Sequence, residues 1–378
     1  MKRIPVIGIL LALGLLVAAS SESLACRYNV RETGFVDLGI ESYRLLSFVG
    51  PETATEEISQ LESLAAEILA GSSISLEVIS VDQDPDHPAM EHWQPVEGQG
   101  RPSAALVSPM GHSLWLGSLW DGAFSPAQVR ENILGVVSSP VRSRIVEELA
   151  SAFGVVLLIE GGNEAENSRA RTAVLQAIGT VESELEYFPK PIKQGPTLII
   201  LTREELTAER LLLWSLHLGA DDLGQPVVAV LYGRGRWIGP TMIGEEITLD
   251  LVSRILFVIG ADCECGLSPK LIRGTGIPIQ WNRRLQALVS QDLGFDPDNP
   301  LVRMEVSKIL KVDTWMDSRS YPTEDYADQL QIPAVKDSSG APRGRPVFKR
   351  VFYLTGGMAA LVLCVGAFIW IRARGGNQ

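Results

Sequence analysis

The apolar and polar positions of this 378-residue chain fall into two successive stretches with one rhythm. In the first, YRLLSFVG (residues 43–50) is mostly apolar, of strand length, and reads as a buried strand. ETATEEISQLESLAAEILAG then brings Ile58, Leu61, Leu64, Ala65 and Ile68 onto one face of a helix. SISLEVISVDQDPDHPAMEHW reads as a strand running into a short helix, and GRPSAALVSPMGHSLWLG, from Gly100, as two short strands joined at a glycine. SPAQVRENILGVVSS closes the set as a helix with Ser125 as its N-cap and Pro126 in its first turn.

The second stretch repeats the first. GVVLLIEG (154–161) is the strand and NSRARTAVLQAIGTVESELEY the helix; PTLIILT and ELTAERLLLWSLHLG follow as the next strand and helix. GQPVVAVLYGRGRWIG, from Gly224, matches the earlier hairpin, and TLDLVSRILFVIG, capped by Thr248, the closing helix. Both halves read β-α-β-α-β-β-α, which predicts two modules, 43–150 and 151–267. Two more amphipathic helices, Asn282–Leu293 and Leu301–Leu310, flank the turn FDPDNP in a helical extension over 268–310.

The ends predict export and anchoring. Lys2 and Arg3 precede the apolar Ile4–Ala19, and Ser23 and Ala25 stand at −3 and −1 of a cleavage point. Residues 1–25 therefore read as a signal peptide, and 26–42 as the N-terminal segment of the mature chain. A lipoprotein signal places Leu at −3 before the cysteine, whereas Leu24 is at −2 from Cys26, which favours plain cleavage over lipidation. VFYLTGGMAALVLCVGAFIWI (351–371) is uncharged, long enough for a hydrocarbon core of about 30 Å, and carries Tyr353 and Trp370 near its ends. Lys349 and Arg350 on one side balance Arg372 and Arg374 on the other, so the cleavable signal sets the topology. The expectation is a type I, single-pass protein with a periplasmic ectodomain and a cytoplasmic tail, 372–378. The polar, Pro- and Ser-containing residues 311–350 read as a flexible stalk.

Charge and motifs narrow the function by exclusion. With 33 Lys and Arg against 45 Asp and Glu the formal net charge is −12, and no basic stripe exists for nucleic acid. No Ser-His-Asp set, phosphate loop or H-E-x-x-H motif is present. His87, Met90 and His92 are copper-type ligands, but their spacing matches no metal motif. Asp82, Asp84 and Asp86 alternate like the start of a calcium loop, yet His87 and Trp93 stand where Gly and Glu are required. No metal site and no cofactor is expected. Arg234 and Arg236, in the glycine turn GRGR, are candidates to hold an anion or a partner's carboxylate; the alternative is a solvated hairpin tip.

The element order resembles the thioredoxin-like fold. In that family a strand ending in Val-Asp leads into an Asp/Asn-Pro helix start, matched here by SVDQDPDHP, and the next strand opens with a cis-proline, matched by Pro102 and Pro226. The resemblance covers Tyr43 to Gly266. It implies an α/β protein of two tandem thioredoxin-like modules, here followed by a C-terminal transmembrane helix. It also implies where redox chemistry would sit: a Cys-x-x-Cys at the start of the first helix, where free N–H groups and the helix dipole lower a thiol pKa. The corresponding stretches, FVGPETATEE and LIEGGNEAEN, hold glutamates and no cysteine.

Four cysteines remain, Cys26, Cys263, Cys265 and, inside the expected span, Cys364. Cys263 and Cys265 flank Glu264 at the end of a helix, where the dipole and the carboxylate disfavour a thiolate. A disulfide from Cys26 to one of them, a Cys263–Cys265 bridge, metal ligation by the three thiols and redox sensing all stay open. The expectation is a membrane-anchored, non-catalytic scaffold that binds another envelope protein. The alternative is a thiol-disulfide redox or sensing protein that uses Cys263 and Cys265.

Overall fold

The computed structural model describes residues 27–39, 42–94, 102–190, 192–262 and 267–311. The expected signal peptide, Cys26, Cys263, Cys265, the expected stalk beyond Lys311, the expected span and the expected tail lie outside the described residues. Among the described residues no helix is long and apolar enough to cross a membrane.

A short helix, α1 (Val30–Gly34), precedes the first module; Asn29 and Glu32 cap each other's backbone N–H groups at its start. The module then runs β1 (Tyr43–Val49), α2 (Thr55–Ile68), β2 (Ile74–Ser80), a 3-10 turn (Pro88–His92), β3 (Ser103–Val107), β4 (Ser113–Ser118) and α3 (Pro126–Val137). Its strands lie in the order β2-β1-β3-β4, with β2 parallel to β1 and the other pairs antiparallel. Strand β1 lies inside the sheet and buries apolar side chains on both faces: Leu45 faces Leu61, Ala65, Val129 and Ile133 on one side. Leu46 and Phe48 face Ile79, Ala89 and Val107 on the other. The expected caps form, with Ser125 accepting from the Gln128 N–H and, in the second module, Thr248 from the Leu251 N–H.

Helix α4 (Pro140–Leu149) follows. The second module then runs β5 (Val155–Ile159), α5 (Glu164–Ser183), β6 (Thr197–Leu201), α6 (Arg210–Ser215), β7 (Val227–Tyr232), β8 (Arg236–Ile243) and α7 (Leu249–Gly260). The extension adds α8 (Pro269–Arg273), β9 (Thr275–Gly276), α9 (Arg283–Leu293) and α10 (Pro300–Ile309). The second sheet has the order β6-β5-β7-β8-β9. Parallel β5/β6 and antiparallel β5/β7 and β7/β8 repeat the first module's plan. Both halves thus have the strand order and directions expected of thioredoxin-like modules. Their middle helices are reduced, one to a 3-10 turn and the other to the six residues of α6.

The two modules are sewn together by side chains that sequence periodicity does not reveal. Val141, Ile145, Val146 and Leu149 of α4 pack into the second core, so by packing this helix sides with the second module. Leu212, Leu213 and Leu216 also enter that core, while Leu211 and Trp214 pack against the first. The segment after β9 binds the first module: the Trp281 N–H donates to Gly71 O at 2.8 Å and Gln280 Nε2 to Ile68 O at 3.1 Å.

Candidate functional site

In the second module, the loop between β5 and α5, the stretch where the resemblance implies a Cys-x-x-Cys, lies hard against the proline loop. The loop after β5 reaches Gly161, and a Cβ there would lie 2.3 Å from the Gln225 carbonyl carbon and 2.6 Å from Pro226 N. Only a residue without a side chain permits that approach. Asn167 holds the loop from behind: its Oδ1 accepts from the Gly161 N–H at 2.8 Å and its Nδ2 donates to Gly161 O at 3.2 Å. The Gly162 N–H donates to Gly224 O at 2.9 Å.

The electrostatics agree. Asn163 caps α5, accepting from the Ala165 N–H, and Glu164 and Glu166 occupy the first turn. In the first module Glu56 and Glu57 sit at the start of α2, and Glu57 accepts from the Ala54 N–H at 3.1 Å. These helix N-termini already hold carboxylates, the charge their dipoles favour. Pro102 and Pro226 precede β3 and β7 as expected, both buried. Pro102 O accepts from Ser118 Oγ at 2.6 Å.

Arg234 and Arg236 turn inward. Arg236 is buried and donates to Arg273 O at 2.9 Å and Val36 O at 3.2 Å. Arg234 Nη2 donates to Asp298 at 2.6 Å and to Gln286 Oε1 at 2.8 Å, and its guanidinium lies 5.4 Å from the centre of the Trp281 ring. The carboxylate that Arg234 holds is the chain's own. The turn is not a solvated tip because α1 covers it: the Arg234 N–H donates to Gly34 O at 3.0 Å. A Cβ at Gly233 would meet that same carbonyl.

His87 Nδ1 accepts from the Ala89 N–H, which makes it the cap of the 3-10 turn, and His92 is buried at the end of that turn. Among the described residues no group of three or more His, Cys, Asp or Glu is placed to hold a metal. Cys26, Cys263 and Cys265 lie outside the described residues, but their neighbours meet. Asn29 bridges antiparallel to Asp262, and the Val30 N–H donates to Ala261 O at 3.0 Å.

A charged cleft of about 440 Å³ beside α1 has no counterpart in the sequence pattern; it is lined by Tyr28, Arg31, Lys190, Lys193, Asp292 and Phe295, among others. Arg31 donates to Ala152 O at 3.1 Å and to Asp292 at 3.1 Å, and burial lowers its pKa although Asp292 opposes the shift. The Tyr28 hydroxyl donates to Glu305 at 2.7 Å; burial first, and this bond second, push its pKa up to about 12. Lys190 pairs with Glu32, and Lys193 with Asp292 at 2.9 Å. Such a set offers mixed charge and aromatic surface for binding.

No family model and no curated protein matches this chain. Among solved structures it is similar to human ERp44 in a zinc-bound form, with 10% identity over 62% of this chain and a TM-score of 0.22. It is also similar to the first two thioredoxin domains of Naumovozyma dairenensis Eps1p, with 12% identity over 57% of this chain and 88% of that one, TM-score 0.17. A third is the bb fragment of ERp72, with 12% identity over 59% of this chain and 90% of that one, TM-score 0.20. The chain spans 61% of the ERp44 chain. The thioredoxin-like description of each half rests on strand order and direction.

Proposed function

We propose that this protein is a non-catalytic binding scaffold of the envelope, anchored through Val351–Ile371, that presents two redox-inactive thioredoxin-like modules to another envelope protein. The observation that carries the reading is Gly161: the loop between β5 and α5 carries no thiol, and at Gly161 there is no room for any side chain beside Pro226. Acidic first turns at both helix starts support it, because a neighbouring carboxylate raises a thiol pKa. The modules act as one surface through α6 and the segment after β9.

Two measurements test the reading. The purified chain is expected to show no disulfide-reductase turnover, and a Cys26, Cys263, Cys265→Ser variant to keep the partner cross-links of the wild type in intact envelopes. Reductase or isomerase turnover abolished by Cys263→Ser would overturn the scaffold and establish a redox protein working through Cys263 and Cys265.

A further inference from the structure

Helix α6 ends in a hydrogen-bond pattern that normally calls for glycine. The Leu218 N–H donates to Leu213 O and the His217 N–H to Trp214 O, both at 3.0 Å, the two bonds of a Schellman motif. The left-handed position of that motif is filled by His217, with φ +60°. A histidine there costs backbone energy that a glycine would not. The ring is used. It lies 5.2 Å, centre to centre, from the imidazole of His112 in the β3–β4 turn of the first module, with the planes at 73°. On another side it meets the Trp237 indole at 5.8 Å and 90°. Two of the chain's four histidines therefore meet across the module boundary.

We propose that His112 and His217 form a two-histidine binding site for a divalent transition metal, with Zn²⁺ the best geometric fit. Two imidazoles sharing one tetrahedral zinc at Zn–N distances of about 2.0–2.1 Å have ring centres about 5 Å apart. The observed separation of 5.2 Å meets this before any metal is added. Neutral imidazole is the ligating form. Burial of His217, and His112 beside it, lower the His217 pKa and so favour that form. His112 is exposed, which leaves the site open to entry from solvent. Two protein ligands leave two positions to water, one more than in a three-ligand open zinc site, so the bound ion is exchangeable. The proposal stands apart from the scaffold reading, since a redox protein could carry the same site.

The test is zinc binding by the full chain, stripped with chelator and counted after dialysis, with Co²⁺ as the spectroscopic probe. About one zinc equivalent is expected to bind without the near-ultraviolet band of a cobalt–thiolate bond. That equivalent is expected to vanish in both His112→Ala and His217→Gly and to survive Cys26, Cys263, Cys265→Ser. His217→Gly suits the left-handed backbone, so its circular dichroism is expected to be that of the wild type and its loss of zinc reports the ligand. No bound zinc, zinc retained in either histidine variant, or zinc lost with the cysteines would each overturn the site.

Discussion

The hydroxyl of Tyr43, at the start of the first module's central strand, donates to the carbonyl of Gly276 at 2.7 Å across 233 residues of chain. Tyr43 is buried, and its ring lies 6.0 Å from that of Trp214 on α6. One side chain thus touches the first sheet, the wedge helix and the last strand of the second sheet. Tyr43→Phe keeps the ring and strands the carbonyl, a loss of about 1–2 kcal/mol. Urea melts are expected to show that loss, with faster amide exchange at Gly276 and Ile277. An unchanged midpoint would mean the modules are held by apolar contact alone.

Gly161→Ala drives a methyl group into the Gln225–Pro226 backbone. Overpacking of this kind costs about 1–3 kcal/mol. The melting temperature is expected to fall accordingly, and Gly161→Cys to fall further without gaining reductase activity. A stable, active Gly161→Cys would show that the loop yields and that the site is only latent.

Arg142 is almost wholly buried and donates to Gly135 O and Pro278 O at 2.7 Å and to Val136 O at 2.6 Å. Burial pushes its pKa down to about 10, with Glu209 opposing. Glu209 in turn accepts from the Val141 N–H at 2.9 Å and Ser139 Oγ at 2.5 Å, capping α4 from the second module. Arg142→Met leaves three carbonyls without donors, an expected loss of about 3 kcal/mol or more. Arg142→Lys keeps the charge but cannot fork to three acceptors, and its loss is expected to be smaller in the same melt.

Stability is expected to fall in mild acid. Burial is the leading cause that lowers the pKa of both His92 and His217 from the ordinary 6.5. As the pH drops, the unfolded chain therefore takes up protons first, so these groups' contribution is complete above the ordinary pKa and is lost as pH falls through the folded value. Melts of metal-free protein from about pH 7.5 to about pH 5 are expected to show this slope. His92→Gln and His217→Gly are each expected to flatten it; equal slopes in all three proteins would refute the assignment.

The bridge between Asn29 and Asp262 makes a prediction about cysteines that lie outside the described residues. It brings sequence neighbours of Cys26 and of Cys263 together, so a disulfide from Cys26 to Cys263 or Cys265 is the expected result of peptide mapping under non-reducing conditions. A Cys263–Cys265 loop would instead favour the redox reading.

Much of this molecule was legible before any coordinates. The periodicities of 43–50 and 154–161 mark the two central strands, and Leu61, Ala65 and Ile68 mark the buried face of α2. Ser125 and Thr248 cap the predicted helices. The missing thiols after both first strands are also plain in the sequence. The second module's middle helix is shorter than its apolar pattern implies: α6 begins only at Arg210 and ends at Ser215, two residues before the left-handed His217.

Local order is written in neighbouring residues, because helix and strand periods and caps act within a few positions. The sequence alone therefore determined the element order, the buried faces and the absence of a Cys-x-x-Cys. Tertiary structure decided that Gly161 lies against Pro226, that Arg234 is spent on Asp298, and that His112 meets His217. Those partners are far apart in the chain, and a single sequence carries no period that pairs them. Only when two sheets and a sewn boundary bring their polar groups out of water does each donor have to find its acceptor.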